Sequence, residues 1–81
     1  MQHLTAKENK QFKITLKTIG HNINNARRQR DFTLKKLSRC TGLNMETLDN
    51  YELGKTNIQV HILMKISIAL GVSLHNLMEN T

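Results

Sequence analysis

The sequence predicts one compact, all-helical domain, and three observations lead to this fold class. The chain has 81 residues, which is enough for a single core and no second domain. Aromatic residues make up only 4% and tryptophan is absent, so aliphatic side chains and Met must form the core, as suits helices packed on helices. Proline is also absent, so only glycines and polar turns can end the helices.

An apolar stripe with alternating steps of four and three residues indicates the first helix. The stripe consists of Phe12, Leu16, Ile19, Ile23 and Ala26. We predict a firm helix from about residue 18 to residue 29, weakened in its middle by a glycine. Residues 1–17 are predicted to form a basic N-terminal arm or an extension of this helix, ahead of a domain over residues 18–81.

The segment from Thr33 to Gly54 contains two short helices separated by a tight turn. Thr33 stands where an N-cap belongs, and Gly42 can close that helix in the left-handed conformation. Asn44 is the N-cap of the next helix, which Gly54 ends. Two more amphipathic helices follow, which makes five in all.

Two helices this short, joined by a brief turn, must cross steeply. A steep crossing requires a small residue at the close approach, a positive φ in the turn and apolar anchors beneath both helices. Ser38 and Gly42 meet the first two requirements, and the anchors are Leu37, Leu43, Leu48 and Tyr51. The spacing is typical of a helix-turn-helix, whose second helix enters the major groove of DNA.

These features resemble the phage Cro/CI-type, or XRE-type, helix-turn-helix family over about residues 19–78. The matching motifs are LxxLS, TGLN, YELGK and IALGVSLHNL, which begin at Leu34, Thr41, Tyr51 and Ile68. The resemblance implies a five-helix, lambda-repressor-like domain with a central helix-turn-helix. It further implies a sequence-specific transcriptional regulator, a repressor or a controller, that reads a short palindrome in double-stranded DNA.

The resemblance also implies roles for individual residues. Arg27 and Glu52 occupy the positions of a partly buried ion pair that ties the first helix to the recognition helix. The base-reading positions are Asn44, Met45, Glu46, Asp49 and Asn50. Independently of the resemblance, free N–H groups at the start of the second helix and the cations around it predict phosphate contacts, although any single one of these residues can instead be solvated: Arg28, Arg30, Thr33, Lys35, Lys36, Arg39 and Lys55. Glu46 has a second interpretation, since a carboxylate in the first turn stabilises a helix whatever the partner.

The charge is distributed unevenly along the chain. Residues 1–30 hold seven Lys and Arg against one Glu, which accounts for the whole formal net charge of +6. The N-terminal arm and first helix therefore offer a surface that a polyanion could meet, or one that is simply solvated.

Several function classes are excluded by missing signals. The single Cys40 allows no internal disulfide, and no apolar stretch reaches the roughly 20 residues of a membrane span, so we expect a cytoplasmic protein without membrane contact. No Cys-x-x-Cys, nucleophile motif or phosphate loop is present. We therefore expect no enzyme, cofactor or metal, because no metal-ligand spacing relates the histidines, which are His3, His21, His61 and His75.

Apolar residues near the C-terminus exceed what one small core requires. They predict a homodimer seam formed by Ile62, Ile68, Leu74 and Met78. Such a dimer would hold two recognition helices about one DNA turn apart. Two alternatives keep the fold: a protein-interaction module such as an antitoxin with its toxin partner, and a nonspecific nucleic-acid binder that relies on the basic arm.

Overall fold

This computed structural model describes residues 4–81 of the chain. These residues contain five α-helices and no strand. The helices are α1 (Ala6–Gln29), α2 (Leu34–Thr41), α3 (Met45–Glu52), α4 (Val60–Leu70) and α5 (Leu74–Leu77). The predicted all-helical class is confirmed. Residues 1–3 of the expected basic arm, and with them His3, lie outside the described residues.

Helix α1 begins at Ala6, well before residue 18, where the sequence predicts its firm part to begin. Thr5 is its N-cap, and a capping box joins Thr5 to Glu8. The Glu8 N–H donates to the Thr5 hydroxyl, and the Thr5 N–H donates to the Glu8 carboxylate, both at 3.1 Å. Because these bonds satisfy two N–H groups that a helix start otherwise leaves unpaired, they favour continuous helix from Ala6 onward.

The core lies between all five helices. Its fully buried side chains are Ile23, Leu37, Leu48, Ile66, Leu70 and Leu77. The apolar stripe of α1 reaches this core only from Leu16 onward, since Phe12 is 41% exposed. The first part of α1 therefore extends beyond the core. Within residues 4–81, no helix combines the length and the apolar character needed to cross a bilayer.

The turn between α2 and α3 has the expected caps. The Thr33 hydroxyl accepts from the Lys36 N–H at 3.0 Å, and Gly42 closes α2 with φ 75°. The Asn44 side chain accepts from the Glu46 N–H at 2.8 Å and so starts α3. These bonds fix where the second helix of the motif begins.

Side chains of α2 also bond to the turn. Ser38, expected only to be small, donates its hydroxyl to the Leu43 carbonyl at 2.5 Å. The buried Thr41 hydroxyl donates to the Leu37 carbonyl at 2.7 Å and accepts from the Leu43 N–H at 3.2 Å. The turn is therefore held by side-chain hydrogen bonds as well as by the φ of its glycine.

Candidate nucleic-acid interface

Helix α3 has one face in the core and one at the surface. On the inner face, Leu48 is fully buried and Tyr51 packs against the core cluster. Four of the five predicted base-reading positions are exposed, and Asn50 is half-buried; the exposed ones are Asn44, Met45, Glu46 and Asp49. The helix thus presents a contiguous set of accessible side chains next to the turn.

The side chains on this face differ in the groups that they can bind. The Asn44 side-chain oxygen is used by the cap, which leaves its amide N–H groups for other partners. Met45 offers an apolar surface that is 46% exposed. Glu46 and Asp49 can only accept hydrogen bonds when ionised, and α3 contains no Lys or Arg. The face therefore suits donor groups and methyl groups in a groove, while cations must come from neighbouring elements.

The end of α3 is fixed by an ion pair to α1. Arg27 Nε lies 2.6 Å from one Glu52 carboxylate oxygen, and Arg27 Nη2 lies 3.0 Å from the other. Their side chains are only 13% and 5% exposed. The hydrogen bond to Glu52 raises the pKa of Arg27 above its already high usual value. This bidentate geometry sets both the distance and the rotation of α3 relative to α1.

Further groups complete the bonding of this pair. The Asn24 side-chain amide donates to the Glu52 carboxylate at 2.7 Å. Arg27 Nη1 donates to the main-chain carbonyl of Phe32 at 2.7 Å, just before α2. Among the described residues, no buried side-chain nitrogen or oxygen lacks a hydrogen-bond partner. The network therefore connects α1, the start of α2 and the end of α3 without an orphaned charge.

Glycines let α1 and the end of α3 meet through their main chains. A Cβ on Gly20 would lie 2.3 Å from the Tyr51 carbonyl oxygen and 2.6 Å from that of Glu52. A Cβ on Gly54 would lie 2.7 Å from the Lys17 Cα, and Gly54 also has φ 70°. Only residues without a side chain fit these two contacts.

The predicted phosphate-contacting residues divide into two groups. All seven are exposed, and the larger group lies on α1, at the start of or on α2, and after α3: Arg28, Thr33, Lys35, Lys36, Arg39 and Lys55. The Lys36 ammonium lies 4.3 Å from the centre of the Phe32 ring, and the first turn of α2 has N–H groups without intrahelical partners. Arg30 instead donates to the Gly71 carbonyl at 3.1 Å, where α4 ends, so it is engaged elsewhere in the fold.

Comparison with known proteins decides the family. The family model described as a helix-turn-helix domain matches residues 20–81. The chain belongs to this helix-turn-helix family. A search of the curated proteins found no match.

Three solved structures share the fold of this helix-turn-helix protein. The restriction-modification controller protein C.AhdI from Aeromonas hydrophila has a TM-score of 0.74 and 21% identity, with 76% of this chain and 94% of that chain covered. The hypothetical transcription factor NHTF from Neisseria has a TM-score of 0.75 and 23% identity, with coverage of 79% and 74%.

The third structure is an HTH_3 family transcriptional regulator from Vibrio cholerae. Its TM-score is 0.79 at 23% identity, and the matched region covers 85% of this chain and 39% of that chain. The predicted helix-turn-helix fold is thus confirmed, because the chain shares it with all three of these structures.

The four residues of the predicted dimer seam differ in how far they are exposed. Ile68 is 76% exposed and Met78 is 40% exposed. Ile62 and Leu74 are partly buried and pack against the core of the same domain. Two of the four are therefore mainly surface groups, while the other two already have partners.

Sequence reasoning missed three residues that position the helix-turn-helix. Helix propensity alone predicts only that Gly20 weakens α1. Asn24 lies three residues before Arg27, so both side chains share one helix face. Asn22 donates to the Leu77 and Glu79 carbonyls at 3.0 and 2.8 Å, and so ties α1 to the end of α5. Their partners are distant in sequence, so no local pattern reveals them.

No metal site is apparent in the described part of the chain. Among residues 4–81, no three His, Cys, Asp or Glu side chains come close enough together to hold an ion.

Proposed function

We propose that this protein is a sequence-specific regulator of transcription that binds double-stranded DNA with α3 in the major groove. The observation that carries the proposal is the contrast between the two faces of α3. Its inner face is fixed by Leu48 and by the Arg27–Glu52 pair, while its outer face is open. A rigidly held helix with free polar side chains is what base recognition requires. The fold shared with three regulators supports the same proposal.

Each outer side chain has a chemical match in the groove. The free amide of Asn44 and that of Asn50 suit the edge of adenine, and Glu46 suits the amino group of cytosine. Met45 suits the methyl group of thymine. The exposed cations on α1 and α2, with Lys55 after α3, would contact the phosphates on either side. Asp49 lies on the same exposed face and would disfavour contact with phosphate.

We further propose that two copies bind a short palindrome as a homodimer. A twofold protein pairs naturally with a twofold DNA site, and the exposed Ile68 and Met78 supply apolar surface for the contact between copies. The free, exposed thiol of Cys40 supports a reducing, cytoplasmic environment. The proposal includes no catalysis and no cofactor.

Selection of bound duplexes from a random pool tests this function. We expect recovery of a palindromic consensus, because direct readout distinguishes base pairs by about 1–3 kcal/mol per good contact. Met45→Ala and Asn50→Ala should each lose part of the consensus, whereas Lys65→Ala, at an exposed position on α4, should keep it. Circular dichroism shows whether each variant is folded.

Two outcomes would contradict the proposal. Equal affinity for selected and scrambled duplexes, with the same dependence on salt, would identify a nonspecific nucleic-acid binder. Recovery of no duplex at all would leave the fold as a protein-interaction module.

A further inference from the structure

The first part of α1 lies ahead of the region that the family model matches. That match begins at residue 20, whereas α1 begins at Ala6. The intervening helix carries four lysines and a single carboxylate, that of Glu8. The four lysines are Lys7, Lys10, Lys13 and Lys17, and all are exposed. This segment is therefore a basic addition to the common domain.

The lysines of this segment share one side of the helix. At about 100° per residue, Lys10, Lys13 and Lys17 lie within roughly 60° of one another. Glu8 lies on roughly the opposite side, and its carboxylate is bonded to Thr5. No salt bridge to these lysines is found within residues 4–81. Their mutual repulsion is consequently not relieved inside the domain.

The packing of α1 brings this basic side next to the end of α3. The backbone of Lys17 lies against Gly54, directly after the recognition helix. A groove of about 430 Å³ runs between α1 and the segment that follows Gly54, with Lys13, Lys17 and Lys55 among its lining residues. The described residues that line it include no carboxylate. Three cations from two elements thus converge at the flank of the base-reading helix.

We infer that Lys10, Lys13, Lys17 and Lys55 form a phosphate track for the DNA backbone just outside the half-site that α3 reads. The inference rests on the proposed function, which places the flank of α3 beside a phosphate strand. The track adds affinity without sequence information, since ammonium groups recognise the phosphate charge and not the bases. Because α1 is a continuous helix here, the lysines are presented on a rigid element with defined spacing.

The salt dependence of binding tests the track. The double variant Lys10→Gln with Lys13→Gln removes two ammonium groups but keeps good helix formers at exposed positions. On a duplex that extends beyond the selected consensus, we expect the slope of log Kd against log salt to fall by about 0.9 for each lysine. The ratio of affinities for consensus and scrambled duplexes should stay unchanged.

Matched controls separate the track from a general effect of charge. Lys65→Gln removes one charge from α4, and it should leave the slope unchanged; Lys13→Gln alone should lower it. On a duplex trimmed to the consensus, the double variant should lose its effect. If the double variant has the same salt slope as the wild type, and the wild type still prefers its consensus, the phosphate track is refuted and the proposed function stands. A wild type without any preferred duplex overturns the proposed function itself.

Discussion

Glu52 joins the end of α3 to α1 through hydrogen bonds. It accepts hydrogen bonds from Arg27 and Asn24, and its side chain is only 5% exposed. A buried pair contributes less than its Coulomb energy suggests, because both ions lose hydration. Removing one member, however, leaves the other charge buried and unpaired.

Replacing Glu52 with alanine should therefore lower the free energy of unfolding by about 2 to 4 kcal/mol. Urea denaturation followed by circular dichroism measures the change. The double variant Arg27→Met with Glu52→Met is the control, since it leaves no stranded charge and should be less destabilised than the single variant. A loss below about 0.5 kcal/mol in the single variant would show that the pair does not hold α3 in place.

At Gly20, helix propensity and tertiary packing predict opposite effects of an alanine substitution on stability. Alanine is normally the better helix former by about 1 kcal/mol, so Gly20→Ala would be expected to stabilise α1. The added Cβ would instead meet two main-chain carbonyl oxygens, those of Tyr51 and Glu52, which cannot rotate away as a flexible side chain could.

We predict that Gly20→Ala destabilises the protein by about 1 to 3 kcal/mol, the usual cost of overpacking. Thermal and urea unfolding measure it. Asn25→Ala at an exposed position of the same helix is the control and should change stability by no more than about 0.5 kcal/mol. A Gly20→Ala protein more stable than the wild type would contradict the main-chain contact.

Among the elements, α1 was the one whose extent the sequence left most open. The apolar stripe correctly located the helix, but it could not show that only Leu16 and later residues reach the core. The short polar segment from Thr5 to Glu8 has the spacing of a capping box, and this box marks the start of the helix. By contrast, the caps and ends of α2 and α3 were predictable, because the Thr33, Gly42 and Asn44 signals act within a few residues.

The capping box of α1 predicts a measurable acid transition. Hydrogen bonding with the Thr5 side chain, and then with its main chain, lowers the pKa of Glu8 below its usual value of 4.5. Because the carboxylate has a lower pKa in the folded state, its contribution is complete above pH 4.5 and is lost as the pH falls through the lowered value.

Carbon-detected NMR titration of Glu8 should therefore give a midpoint below 4.5, with the amide shifts of the first turn moving in parallel. Thr5→Ala removes the Thr5 hydroxyl, whose hydrogen bonding is the first cause of the lowered pKa, and should bring the midpoint back toward 4.5. A wild-type midpoint at or above 4.5 would mean that the capping box does not form in solution.

For the molecule as a whole, the arrangement of surfaces was harder to predict than the fold. The helix period indicates which residues point outward from α3, so the exposure of Met45, Glu46 and Asp49 was predictable. The period cannot show which outward residues of α4 and α5 are covered by another helix. Leu74, a residue of the predicted seam, is partly buried and packs on the core, and the period alone does not show this contact.

The proposed homodimer can be tested at Ile68, which is 76% exposed and is the most exposed large apolar residue within residues 4–81. Ile68→Glu should convert a dimer to a monomer, because a charge in an apolar interface loses hydration without gaining a partner. Light scattering across a concentration series measures the mass. Val60→Glu, 64% exposed on the same helix, is the matched control and should remain dimeric. A wild type that stays monomeric at every concentration would refute the seam.

Gly42 has a consequence for altering the turn of the helix-turn-helix. No atom lies within 4 Å of the place where its side chain would be, yet its φ of 75° disfavours ordinary amino acids. An L side chain is therefore disfavoured at this position by the backbone torsion and not by a lack of space. A D-alanine, for which this torsion is the relaxed one, would avoid the backbone strain and would reduce the freedom of the unfolded chain. Chemical synthesis could in this way stiffen the joint between the two helices without changing any side chain on the outer face of α3.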